Sequence, residues 1–106
     1  MNRGVKFDSQ ILFKTLGDPT RRAIYERLMA GGAQTVRALT ERSGVSQPAI
    51  SKHLSVLSRA GLVEGRPIGR ETYYSARPQG LKPMVDWIGR YGWDQVGLEP
   101  VAGTLG

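Results

Sequence analysis

From Phe7 to Leu16 the apolar residues fall at positions 7, 11, 12, 13 and 16, the spacing of a short helix with a wide apolar face. Asp18-Pro19 opens a second helix. The aspartate can accept from free backbone N–H groups, and proline suits a first helical position whose N–H needs no partner. Ala23, Ile24, Leu28 and Met29 form its expected buried stripe, and Gly31-Gly32 ends it. A third helix is expected after Thr35 as N-cap, with Val36 and Leu39 inward and Gly44 as its C-terminal cap. Val45 plugs the turn that follows. Ser46 caps a fourth helix running from Gln47 to about Ala60, in which Ile50, Leu54 and Leu57 fall at i, i+4 and i+7, and Gly61 terminates it.

Beyond Gly61 the period shortens. Leu62–Arg66 and Glu71–Ser75 are β-prone runs joined by Pro67-Ile68-Gly69-Arg70, a hairpin with a basic tip. Leu81, Met84, Trp87, Ile88 and Tyr91 then return to helical spacing in a fifth helix that extends toward Trp93. Two helices joined by a tight glycine-containing turn make a helix-turn-helix. The fold class is therefore mainly α with a small β-hairpin, a winged helix-turn-helix in the order α-α-α-α-β-β-α. Residues 1–6 read as a flexible N-terminus, 7–96 as one winged helix-turn-helix domain, and 97–106, rich in Gly and Pro, as a flexible tail.

Charge sharpens this picture. The chain carries a formal net charge of +6, and it is unevenly placed. Between Arg42 and Lys82 stand seven basic residues and two acidic ones, whereas from Pro83 onward Arg90 faces Asp86, Asp94 and Glu99. A positive field concentrated in one central segment suits a polyanion. With no cysteine and a single histidine, thiolate metal sites, disulfides and cysteine nucleophiles are excluded. A hydrolase would need an activated nucleophile or clustered carboxylates, and neither is present. The N-terminus lacks a signal-peptide core and no apolar run reaches membrane-spanning length, so a cytoplasmic protein with no membrane partner is expected.

The candidate nucleic-acid surface is the outer face of the fourth helix. Ser46, Gln47, Ala49, Ser51 and Ser55 are small or amide-bearing, with Lys52 and Arg59 beside them, and no acid occurs from Gln47 to Val63. Glutamine can pair bidentately with adenine, serine reaches base edges or phosphates, and lysine and arginine neutralise backbone charge. His53, with no catalytic partner and too few companions for a metal, reads as a phosphate or base contact, with a packing role as the alternative. Arg66 and Arg70 bracket the hairpin tip, where arginines commonly lie against the minor groove. Phe7, Phe13, Leu16, Met84, Trp87, Ile88 and Tyr91 are more apolar surface than a thin helix pair can hide, and are expected to form a dimer interface. A winged-helix protein-interaction module is the rival reading. It calls for apolar or acidic residues on the fourth helix's outer face, which SQPAISKHL does not supply.

Three stretches carry a family resemblance: LGDPTRRAIYERL in the second helix, SGVSQPAISKHLSVLSRAGLV through the fourth, and GRETYYSA in the hairpin. From Leu16 to about Trp93 the chain resembles the ArsR/SmtB family of bacterial winged-helix repressors. The resemblance implies a homodimer paired through its first and last helices, repressing at an inverted-repeat operator in double-stranded DNA. It does not extend to the family's metal sites. Thiolate sensors of the family carry Cys-x-Cys at the start of the third helix, where this chain has Thr35 and Arg37. The site on the last helix uses Asp, His and Glu, and here Asp86 has no histidine after it. A metal-independent member without cofactors is therefore expected, and the residues name no small-molecule effector.

Overall fold

A computed structural model of the chain describes the backbone of residues 3–92 and the side chains of residues 9–92. Trp93, the 97–106 tail and the Phe7 side chain lie outside the described residues. The first helix, α1, runs Arg3–Gly17, beginning earlier than its apolar spacing suggests. It is followed by α2 (Pro19–Gly31), a two-residue strand β1 (Gln34–Thr35), α3 (Val36–Thr40) and α4 (Gln47–Arg59). Strands β2 (Val63–Ile68) and β3 (Glu71–Ala76), a 3₁₀ turn at Pro78–Leu81 and α5 (Lys82–Tyr91) complete the chain. This is the expected winged helix-turn-helix, with one addition. The sheet has three strands in the order β1-β3-β2, because Thr35 pairs with Tyr73 and Gln34 with Tyr74.

Four helix boundaries have a visible cause in their caps. Asp18 Oδ1 accepts from the N–H groups of Thr20 at 2.8 Å and Arg21 at 3.1 Å, starting α2. Thr35 and Ser46 do the same for α3 and α4 through Ala38 N and Ala49 N. The end of α4 is a Schellman motif: Gly61, at φ 80, donates to Ser58 O at 3.0 Å, and Leu62 N donates to Leu57 O at 3.0 Å. Gly44 does not cap α3 as expected. That helix stops at Thr40, and Ser43 organises the following turn by donating its N–H and Oγ to Thr40 O and accepting from Val45 N. Gly44, at φ 74, lies further along that turn.

The core joins all the helices to the base of the wing. Leu12, Leu28, Leu39, Ile50, Leu54, Leu57 and Leu62 are essentially solvent-free, and Val45 and Leu81 pack against them. Two corrections fall on α2. Ala23 and Met29 are exposed, and Tyr25 takes the third buried place beside Ile24 and Leu28. Burial pushes the Tyr25 phenol's pKa up, since the phenolate is the form that loses hydration.

The Asp18 cap gives a pH prediction. The hydrogen bond from Arg21 N–H, helped by that from Thr20 and by the Arg21 charge, holds the carboxyl below its ordinary value despite partial desolvation. A folded-state value below the unfolded one contributes stability that is present above the unfolded pKa and lost as pH falls through the folded one. Asp18→Asn keeps an acceptor and cannot titrate. It should flatten the fall in thermal midpoint below about pH 4; an equally steep fall would assign that acid limb to other carboxylates.

Candidate nucleic-acid interface

The short helix α3 has four C-terminal carbonyls and few ways to satisfy them. Arg27 of α2 supplies the donors: its guanidinium reaches Leu39 O at 2.7 Å, Ala38 O at 3.0 Å and Glu41 O at 3.3 Å. This clamp sets the position of the turn ahead of α4. On α4 the stripe Ile50, Leu54 and Leu57 is buried completely. At 100° per residue the opposite face is Pro48, Lys52, Ser55 and Arg59, all exposed, with Ser51 on one flank. Gln47 is exposed in the first turn, where a helix in this motif meets base edges.

Three of the expected contacts on α4 are placed differently. His53 is half-buried and faces inward, its Nδ1 3.5 Å from Arg21 Nη1. Arg21 is held in turn by Thr15 O at 2.9 Å and sits 3.9 Å from Asp18 Oδ2. This approach links α4 to the α1–α2 junction, as the alternative packing or hydrogen-bonding role would. Ala49 is half-buried, because it stands one residue before Ile50 at the edge of the core stripe. Arg59 occupies the last turn, at a cleft it shares with Ile11, Arg77 and Gln79, away from the end of α4 that carries Gln47.

The wing is a tight hairpin. Ile68 pairs with Glu71, leaving Gly69-Arg70 as a two-residue loop with Gly69 at φ 64. Arg70 is thus at the tip. Arg66 lies further back, opposite Tyr73, so it does not bracket the turn. Its guanidinium reaches Glu64 at 3.3 Å, and Arg77 reaches the same carboxylate at 3.4 Å. Lys82 pairs with Asp86 at 3.0 Å. Of the seven cations between Arg42 and Lys82, only Arg42, Lys52, Arg59 and Arg70 have no acidic partner among the described residues. The Arg66–Glu64 and Lys82–Asp86 pairs are local, whereas Arg77 meets Glu64 only because β2 and β3 lie side by side.

Away from the wing hairpin, in the helical part of the chain, α1 and α5 pack together through aromatic edges. Phe13 and Trp87 form a T-shaped pair with centroids 5.2 Å apart, and Trp87 meets Tyr91 at 5.1 Å. Phe13, Trp87, Ile88 and Tyr91 remain 41%, 42%, 37% and 52% exposed, and Val85, also half exposed, joins them. Leu16 and Met84, also expected in that interface, are partly buried against the core of their own chain. Asp86, the remaining metal-site residue on α5, is engaged by Lys82 at 3.0 Å.

Comparison with known proteins fits this geometry. A helix-turn-helix domain family matches residues 16–66, from the end of α1 into β2. The chain is 35% identical over 77 residues to the transcriptional repressor SdpR of Bacillus subtilis, covering 73% of this chain and 84% of that protein. It is 43% identical over 79 residues to the HTH-type transcriptional regulator Rv2034 of Mycobacterium tuberculosis, covering 74% of this chain and 73% of that one. The solved structure of an ArsR-like transcriptional regulator from Rhodococcus sp. RHA1 superposes with a TM-score of 0.76 at 35% identity, over 87% of this chain and 88% of that one. With the three-stranded wing, the capped reading helix and these relatives together, the chain belongs to the ArsR family of winged-helix, DNA-binding transcriptional regulators.

Proposed function

We propose that the chain works as a homodimer that binds an imperfect palindromic operator and represses the genes beside it, in the cytoplasm and without a metal signal. The observation that carries this reading is the distribution of free cations. Lys52 on the outer face of α4 and Arg70 at the wing tip have no acidic partner among the described residues, and α4 itself carries no acid. Two such units related by a two-fold axis place their reading helices about 34 Å apart, one turn of B-DNA. The exposed Phe13–Trp87–Tyr91 face supports pairing through α1 and α5. Repression is supported by the SdpR relative, which is named as a repressor. Metal independence is supported by the absence of cysteine and by the Lys82–Asp86 pair, which occupies the one acid of α5 within the described residues.

The test is binding to DNA from upstream of the protein's own gene at two salt concentrations, against a scrambled duplex. Salt-sensitive binding with at least ~10³-fold preference for one palindromic site is expected. Weak binding that ignores sequence would favour a protein-interaction role. Two variants separate reading from gripping. Gln47→Ala should change which bases are preferred at one position in each half-site. Lys52→Ala should weaken all sequences alike and make the salt dependence shallower by about 0.9 log units per decade for each phosphate left without its lysine. If Gln47→Ala leaves the base preference untouched, glutamine is not the reading residue.

A further inference from the structure

Arg42 stands in the turn between α3 and α4 with φ 65, the one residue other than glycine in the left-handed region among the described residues. Arginine has no special tolerance for that region; glycine and asparagine do. The turn itself does not call for arginine there. Its shape is held by Ser43, whose N–H and Oγ donate to Thr40 O at 3.1 Å and 2.7 Å and whose Oγ accepts from Val45 N at 2.9 Å. Nor does a polar contact within the chain hold the side chain. Arg42 is exposed and has no hydrogen bond or acidic partner among the described residues, whereas Arg21, Arg22 and Arg27 each hold backbone carbonyls and Arg37, Arg66 and Arg77 each meet a glutamate.

A left-handed position occupied by a long charged side chain whose guanidinium has no partner in its own chain points to a contact outside the chain. In a helix-turn-helix the first helix crosses the sugar-phosphate backbone while the second enters the groove, so the turn between them runs beside phosphates. We infer that Arg42 grips a DNA backbone phosphate from the turn of the helix-turn-helix. This rests on the DNA-binding reading above and adds to Lys52 and Arg70 a third cation, on the approach to the first turn of α4. The contact is to the backbone, so it positions the reading helix and carries no base preference of its own.

The experiment compares Arg42→Gly, Arg42→Asn and Arg42→Lys with the native chain, measuring thermal midpoint and operator affinity across a salt series. Glycine and asparagine relieve the left-handed backbone, so both variants should melt at or above the native midpoint. Both should bind roughly five- to twenty-fold more weakly at moderate salt. Their salt dependence should be shallower by about 0.9 for each protomer on the duplex, with base preference unchanged. Arg42→Lys should retain the native salt dependence. If the native chain binds with a steep salt dependence and the glycine and asparagine variants match it in affinity and slope, the inference is overturned and the DNA-binding reading stands. If the native chain shows no salt-sensitive binding to any duplex, both fall together.

Discussion

Trp87→Glu is expected to give a folded monomer in light scattering in place of the proposed homodimer, and to lower operator affinity by about 10²-fold or more. The tryptophan lies at the centre of the exposed aromatic face, between Phe13 on α1 and Tyr91 on α5, with ring centroids 5.2 Å and 5.1 Å away. Being 42% exposed in the single chain, it can take a carboxylate without emptying the core around Leu54 and Leu57. In a dimer the same carboxylate would be pressed against apolar surface, and taking an ion out of water costs several kcal/mol. DNA binding then loses the linkage between half-sites, and such linkage multiplies affinity by about 10²–10⁴. Trp87→Phe, which keeps the aromatic edge, should remain dimeric. A Trp87→Glu protein that stays dimeric would place the interface elsewhere on the surface. One that is unfolded by circular dichroism would assign the tryptophan to the core.

The second large effect is expected at Gly80, in the 3₁₀ turn that leads into α5. A Cβ there would overlap the carbonyl oxygen of Gly61 and come within 2.9 Å of its carbonyl carbon. Those are backbone atoms, and the Gly61 backbone is already pinned by the hydrogen bonds that end α4. Neither side can move cheaply. Arg77 N donates to Leu62 O at 2.7 Å in the same crossing, so a shift would also loosen the base of the wing. Gly80→Ala should therefore destabilise the fold by about 3 kcal/mol, the upper range for overpacking, out of a total of roughly 5–15 kcal/mol for a domain. In urea the midpoint should fall with the slope unchanged. Gly17→Ala is the control, because a Cβ at Gly17 meets nothing within 4 Å. Equal midpoints for the two variants would show that the crossing can relax.

Much of the architecture was legible from local pattern alone. The boundaries of α4 follow from Ser46 at one end and Gly61 at the other, and its buried stripe from the spacing of Ile50, Leu54 and Leu57. The Asp18-Pro19 start of α2 and the hairpin are equally local. These features depend on hydrogen bonds and periods spanning a few residues, which the order of residue types records directly. Periodicity erred where neighbouring positions compete for the edge of a buried stripe. Ala23 and Tyr25 flank Ile24, and only the packing of β3 and α4 against α2 decides which of the two turns inward.

The candidate site divides along the same line. The sequence by itself determined the reading helix, its acid-free outer face, the basic bias of the central segment and the surplus of aromatic residues on the last helix. Tertiary structure alone decided which charges remain free. Glu64 takes up Arg66 and Arg77, and Glu71 takes up Arg37 from a helix 34 residues earlier. It also turned His53 toward Arg21, held α3 through Arg27, added β1 to the sheet, and placed Arg42 in a left-handed turn with its side chain unclaimed. Apart from the neighbouring Glu64–Arg66 pair, each of these joins groups far apart in the chain or depends on a backbone angle that residue type does not dictate. A charge becomes available to a partner only when the folded neighbours have been counted, and that count exists only in three dimensions.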